Sequence, residues 1–162
     1  MKIRPFVPGD LAGLTQIQDD VALGGGWRGH DYARIAEMPG GLILVAEEEQ
    51  IIVGFIASSL VFDQAEVLNM AVAAKQRRQG IGRQLLIEIC RRLTAAGARS
   101  VWLEARVSNL PAIQLYKSFG FIACKTRKNY YSNPIEDACV MRFARADQQA
   151  EIEAGASRNF FA

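Results

Sequence analysis

Arg77-Arg78-Gln79-Gly80-Ile81-Gly82-Arg83 is the stretch on which the reading of this chain turns. It follows a strand-like run, Ala65 to Ala73, and opens a helix-like one that sets Ile81, Leu85, Leu86, Ile89 and Leu93 on one stripe. Two glycines two apart permit a tight turn and a close approach of the backbone to a ligand, and the first helical N–H groups after Gly80 lack intrahelical acceptors. An anion can supply those acceptors, favoured by the helix dipole and by Arg77, Arg78 and Arg83. Two readings stand: a cradle for a diphosphate, with Gln79 and Ile81 inside it, or a glycine turn before a solvated basic helix end. Longer phosphate motifs fail. No Lys-Ser or Lys-Thr follows Gly82, as a Walker loop requires, and Leu85 stands where a dinucleotide fingerprint needs its third glycine.

Upstream, a short first strand ends at Pro8-Gly9-Asp10, where Asp10 suits the N-cap of a helix carrying Leu11, Leu14 and Ile17, which Gly24-Gly25-Gly26 closes. Residues 24–41, with Trp27, His30 and Pro39 among glycines, read as loops around one short helix. Leu42 to Ala46 and Ile51 to Leu60 are apolar strands joined by a polar hairpin loop, and they meander into the strand before the cradle. Downstream, the cradle helix stops at Gly97, and Ser100 to Arg106 forms the next strand. A helix joins that strand to the previous one, so the two run parallel as a βαβ unit. Asn109-Leu110-Pro111 opens a second helix that Gly120 closes, and Cys124 to Tyr130 with Ala138 to Phe143 make a closing hairpin around Ser132-Asn133-Pro134. The fold class is α/β on a mixed α+β sheet: an antiparallel meander, then βαβ with a parallel central pair.

With 162 residues, half of them hydrophobic, the chain can bury one core and little more. A net charge of +2 does not argue for a nucleic-acid partner, and Arg91-Arg92 is expected at a helix C-terminus. Cys90, Cys124 and Cys139 show neither a disulfide framework nor zinc spacing, so no metal is expected. The N-terminus has no signal-peptide apolar core and no run approaches the ~18 residues of a membrane helix, so a cytoplasmic protein without a membrane partner is expected. Residues 1–143 form the expected domain. Residues 144–162 form a polar tail expected to dock through Phe160 and Phe161 on the domain or on a second copy, which would make it the route to a homo-oligomer.

This order of elements, with the cradle and the run Tyr116-Lys117-Ser118-Phe119-Gly120-Phe121, resembles the GCN-five-related N-acetyltransferase (GNAT) superfamily over residues 1 to about 143. Its phosphate motif, Gln/Arg-x-x-Gly-x-Gly/Ala, is matched by Arg77, Gly80 and Gly82, which implies binding of acetyl-CoA through its pyrophosphate. A narrower likeness lies in residues 102–109, in Ala112-Ile113-Gln114-Leu115-Tyr116, and in Asn129-Tyr130-Tyr131 followed by Glu136-Asp137-Ala138. These resemble the RimI type, whose acceptor is the N-terminal alanine of a ribosomal protein. The chain departs from the pattern in its glycine-rich segment 24–41 and in its tail.

The resemblance implies a role for each candidate. A protein α-amine has a pKa near ~8 against ~10.4 for lysine, so a modest base suffices. Glu104, on one alternating face with Trp102 and Arg106, matches the family's proton acceptor; its alternative is an ion pair with Arg106. Tyr116 matches the tyrosine that protonates the departing thiolate; its alternative is a core tyrosine against Ile113 and Phe119. Asn109 matches a cofactor contact and also suits a helix cap. Backbone amides around Met70-Ala71-Val72 would bind the acetyl and pantetheine groups if the strand bulges there. Trp27, Tyr130 and Tyr131 would flank the peptide N-terminus, or Tyr130 and Tyr131 are ordinary strand aromatics. His30 reads as solvated, and no cysteine matches a nucleophile position, which implies direct transfer in a ternary complex. A small-molecule amine as acceptor, or acyl-CoA binding without transfer, are the alternative readings.

Overall fold

A computed structural model describes residues 1–21 and 26–144. Gly24, Gly25 and the residues 145–162 of the expected tail, with Phe160 and Phe161, lie outside the described residues. Among the described residues, seven strands make one sheet in the order β1-β2-β3-β4-β5-β7-β6. They are β1 Lys2–Pro5, β2 Gly41–Glu48, β3 Ile51–Val61, β4 Gln64–Val72, β5 Ser100–Arg106, β6 Ile122–Ser132 and β7 Ile135–Ala144. The helices are α1 Leu11–Asp19, α2 Gly29–Glu37, α3 Ile81–Ala95 and α4 Leu110–Phe119. Only β4 and β5 pair in parallel, and every other pair is antiparallel, as the meander and the βαβ unit require.

The sheet separates two cores. On one face the α3 stripe of Ile81, Leu85, Leu86, Ile89 and Leu93 packs with Leu44, Ile56, Val101, Leu103 and Met141, joined by Tyr116 and Phe121 from α4 and its exit. On the other, Leu14 and Ile17 of α1 with Tyr32 and Ile35 of α2 cover Ile43, Val45, Phe55 and Ala57. Strand β3 lies between both layers, so it is buried continuously from Val53 to Ser59 instead of alternating.

Two irregularities shape the site. The parallel ladder holds only from Gln64↔Ser100 to Val67↔Leu103, after which β4 and β5 diverge. In β4 itself Ser58 pairs with Val67 and Ala57 with Asn69, so Leu68 is an extra residue, a β-bulge. The bulge turns Asn69 toward α1 and α2, beside Leu68, while Val67 and Met70 face the α3 core. It lies upstream of Met70, not at Met70-Ala71-Val72.

Several local expectations are corrected. Asp10 does not cap α1: its carboxylate accepts from Arg4 at 2.7 and 2.8 Å and from the Val7 amide at 2.8 Å, because a guanidinium fork outcompetes the helix amides. Helix α1 stops at Asp19, before the glycine triplet. Arg92 does lie in the last turn of α3, as expected, and both Arg91 and Arg92 bind Glu88 one turn back, at 2.8 and 2.7 Å. Strand β7 runs through Ala144, which pairs with Ser100. No helix among the described residues is long and apolar enough to cross a membrane.

Candidate active site

The cradle is built by backbone strain and by side chains that fold back on it. Arg78 and Gly80 take positive φ, 62° and 83°, and a left-handed residue at the cap is where glycine carries least cost. Arg77 Nε donates to the Val72 carbonyl at 3.0 Å and Gln79 Nε2 to the Lys75 carbonyl at 3.2 Å. These two side chains brace the loop. The first α3 amide with a helical acceptor is Gln84, bonded to Gly80 O at 3.0 Å, and no described backbone acceptor takes the amides of Ile81, Gly82 and Arg83. A Cβ added at Gly80 meets nothing within 4 Å, so the space in front of the cradle is open, while one at Gly82 would meet Leu115 at 3.4 Å. Gly80 is thus required by its conformation, whereas a Cβ at Gly82 would make only ordinary contacts. This donor set, with arginines beside it, fits a diphosphate.

The divergence of β4 and β5 opens a cleft of about 400 Å³ whose walls include Met70, Ala71, Glu104, Asn109, Tyr116, Trp27 and Tyr131. Seven predicted site residues from distant parts of the chain therefore meet. Tyr130 is not among the residues lining the cleft; its ring is edge-on to Tyr131 at 5.1 Å. Asn109 is a helix cap in fact, accepting from the Ala112 amide at 3.3 Å, and lines the cleft as well.

Glu104 does not pair with Arg106. Its carboxylate takes a short hydrogen bond and ion pair from Arg127, whose guanidinium lies over the Tyr130 ring at 4.6 Å. A hydrogen-bonding interaction with Glu104, followed by burial, pushes Tyr130 up to about 12. Arg106 instead is 6% exposed and ties down the tip of the β6–β7 hairpin: it donates to Glu136 and the Pro134 carbonyl at 3.1 Å and to the Asn133 carbonyl at 3.2 Å. Glu136 accepts from the Ser108 amide at 2.7 Å, and the Arg106 guanidinium covers the Tyr131 ring at 4.2 Å. The latch fixes Tyr131 against the cleft.

Tyr116 is 7% exposed, packs its ring on Phe121 at 5.8 Å, and still lines the cleft, so the core and site readings coexist. Burial, with the neighbouring Tyr131, pushes its hydroxyl up to about 12. It stays protonated across the neutral range. Burial likewise pushes Cys90 up to about 12, far from the cleft in the α3 core. Among the described residues no group of three or more His, Cys, Asp or Glu side chains is arranged to hold a metal. Sequence reasoning missed Arg127, the Arg106–Glu136 latch, and a polar cluster of Gln18, Tyr32 and Asn69. All are long-range pairings without a local spacing signal.

A mixed sheet splayed at its single parallel pair, with a glycine-turned helix start at the mouth of the splay, is the N-acetyltransferase fold. The acetyltransferase (GNAT) family model matches residues 13–121, and the chain belongs to that family. A curated relative, the [ribosomal protein bS18]-alanine N-acetyltransferase of Escherichia coli strain K12, is 42% identical over 89 residues, 54% of this chain. The match spans 60% of that relative's length. The crystal structure of the ribosomal-protein-S18-alanine N-acetyltransferase from Escherichia coli superposes with a TM-score of 0.80 at 31% identity, covering 88% of this chain and 92% of that one. Chaetomium thermophilum Naa20, solved in complex with a bisubstrate analogue, gives a TM-score of 0.78 at 30% identity over 89% of this chain and 86% of its own.

Proposed function

We propose that this chain transfers an acetyl group from acetyl-CoA to the N-terminal α-amine of a protein, with an alanine-starting ribosomal-protein peptide as acceptor, by direct transfer in a ternary complex. The observation that carries the reading is the single cleft in which a carboxylate, Glu104, and a protonated phenol, Tyr116, face a common space between an unpaired strand edge and an aromatic wall. Acetyl-CoA supplies an activated thioester when bound. The amides of Ile81, Gly82 and Arg83, with Arg78 and Arg83, hold its diphosphate, while Arg77 and Gln79 keep the loop in shape and Asn109 contributes from the far wall. Met70, Ala71 and Val72 pair with β3 but lie beyond the last β4–β5 pair, so the backbone groups on their β5-facing edge, other than the Val72 carbonyl that Arg77 holds, hydrogen-bond the donor arm and its carbonyl oxygen.

Glu104 takes the proton from the acceptor's ammonium and leaves its nitrogen lone pair available. The amine nitrogen forms the new bond to the acetyl carbon as the carbon–sulfur bond breaks, and Tyr116 delivers a proton to the leaving sulfur; the second proton that the acylated nitrogen must shed restores the Tyr116 hydroxyl, which leaves the amide, the thiol and one proton on Glu104. Trp27 and Tyr131 form the walls for the first peptide residue, with Tyr130 at the rim. Residues 1–143 constitute the catalytic domain. Incubation with acetyl-CoA and a panel of alanine-starting peptides and small amines, read by mass spectrometry, tests the assignment. One acetyl group on the peptide α-amine is expected, and reaction of small amines alone would replace the acceptor named here.

A further inference from the structure

The acceptor side of the cleft has a polar cluster that the roles above leave unused. Asn69 Nδ2 donates to Gln18 Oε1 and to the Tyr32 hydroxyl oxygen, both at 2.9 Å, and the Tyr32 hydroxyl donates to Gln18 Oε1 at 3.0 Å. An amide nitrogen has two protons, so both are committed to this triangle. Tyr32 is fully buried, stacked on Trp27 at 5.6 Å and edge-on to Phe55 at 5.2 Å, so its position is locked. Burial raises its hydroxyl above the usual tyrosine range, and it stays a donor at every working pH. Turning the Asn69 amide over would set two carbonyl oxygens, Asn69 Oδ1 and Gln18 Oε1, against each other. The cluster therefore fixes which end of the amide points away from it.

That end is Oδ1. No described residue donates to it, and Asn69 lines the same cleft as Gln18, Trp27, Glu104 and Tyr116. The bulge at Leu68 is what brings it there, because an unbroken alternation would have turned Asn69 to the α3 core with Val67. An oxygen acceptor held rigid in a cleft, opposite a carboxylate, suits a group with several N–H donors.

We infer that Asn69 Oδ1 is a binding contact for the acceptor amine: it takes one N–H while Glu104 takes the proton that must leave, and the two together aim the nitrogen lone pair. Gln18 and Tyr32 are positioning residues that act through Asn69. The inference rests on the proposed N-terminal acceptor.

Three variants test it: Asn69→Ala removes the oxygen, Asn69→Asp keeps an oxygen acceptor, and Tyr32→Phe removes one tie while keeping the ring stack. Asn69→Ala is expected to raise the acceptor KM roughly tenfold, the cost of one hydrogen bond to a charged group, with the acetyl-CoA KM within about twofold. Asn69→Asp keeps an oxygen in the cleft but gives up both Nδ2 ties and turns its second oxygen on Gln18 Oε1, so it should recover only a small part of that loss, and Tyr32→Phe should raise the acceptor KM about threefold by loosening the amide. A folded Asn69→Ala protein with an unchanged acceptor KM overturns the inference; should that variant not fold, an unchanged acceptor KM in Tyr32→Phe does so. Calorimetric titration of peptide into the CoA-loaded protein separates this from the parent reading. Peptide binding that weakens in Asn69→Ala without any transfer by the wild type rejects the activity and keeps the contact, whereas equal binding by both proteins rejects the contact.

Discussion

At the scale of single residues, one physical cause gives Tyr116 two properties: the burial that packs its ring on Phe121 also keeps its hydroxyl protonated, up to about 12. In the proposed role of general acid Tyr116 works only in its protonated form, so a raised pKa extends its working range upward. The rate therefore should not fall through loss of this proton between about pH 8 and 10, and kcat measured across that range should stay level. Tyr116→Phe keeps the ring and the core and removes the proton. A loss in kcat of roughly a hundredfold or more is expected with the melting temperature nearly unchanged, and Glu104→Gln should act similarly. Asp10 shows the opposite sign. The Arg4 guanidinium and the Val7 amide hold its carboxyl below the usual carboxylate range despite burial, so its stabilisation is complete above the ordinary value of 3.8 and is lost as pH falls through the lowered native pKa. Asp10→Asn should cost on the order of 1–3 kcal/mol at neutral pH by chemical denaturation, and the gap to wild type should shrink in acid.

At the scale of elements, the start of α3 separates two uses of glycine that look alike in Gly80-Ile81-Gly82. Gly80 sits at φ 83° with open space around its Cα, whereas Gly82 is an ordinary helical residue near Leu115, Val72 and Met70. Gly80→Ala should therefore cost about 1 kcal/mol of stability through backbone strain and should also weaken acetyl-CoA binding by disturbing the cradle. Gly82→Ala should be near neutral for stability, since gained helix propensity of up to ~1 kcal/mol meets only a 3.4 Å contact. Thermal melts of the two variants, with and without acetyl-CoA, check the contrast; equal destabilisation would mean that the conformation at Gly80 is not what holds the loop. The hairpin β6–β7 shows the same dependence of site on element. Tyr131 faces the cleft because Arg106, reaching from β5, bonds the carbonyls at the hairpin tip, a contact spanning 27 and 28 residues of sequence.

At the scale of the whole molecule, the sequence was legible wherever structure is local and opaque where it is not. Hydrophobic period and glycine or asparagine boundaries located the α3 stripe, the Asn109 cap and the parallel β4–β5 pair, since each follows from residues within a turn or one crossover. The bulge at Leu68 could not be read, because Ala65-Glu66-Val67-Leu68-Asn69-Met70 carries no glycine or break and only pairing with β3 decides which face Asn69 takes. Arg127 was hidden for the same reason: its partner Glu104 lies 23 residues away on a strand that is not even adjacent, with β7 between them. The region left by these long-range choices is the splay, where β4 and β5 share only four paired positions and then leave backbone groups unpaired. Ligand that bridges the two strands there stabilises the folded state alone, by mass action. At about a hundredfold over its Kd, acetyl-CoA should add about 2.7 kcal/mol, which for a domain of this size raises the melting temperature by several degrees. Differential scanning fluorimetry with acetyl-CoA, CoA and adenosine reads this directly. The thioester and the thiol should both shift the midpoint, whereas adenosine, unable to reach from the cradle into the splay, should barely move it. A full shift with adenosine alone would place the stabilisation outside the splay and leave β4 and β5 apart in the bound protein.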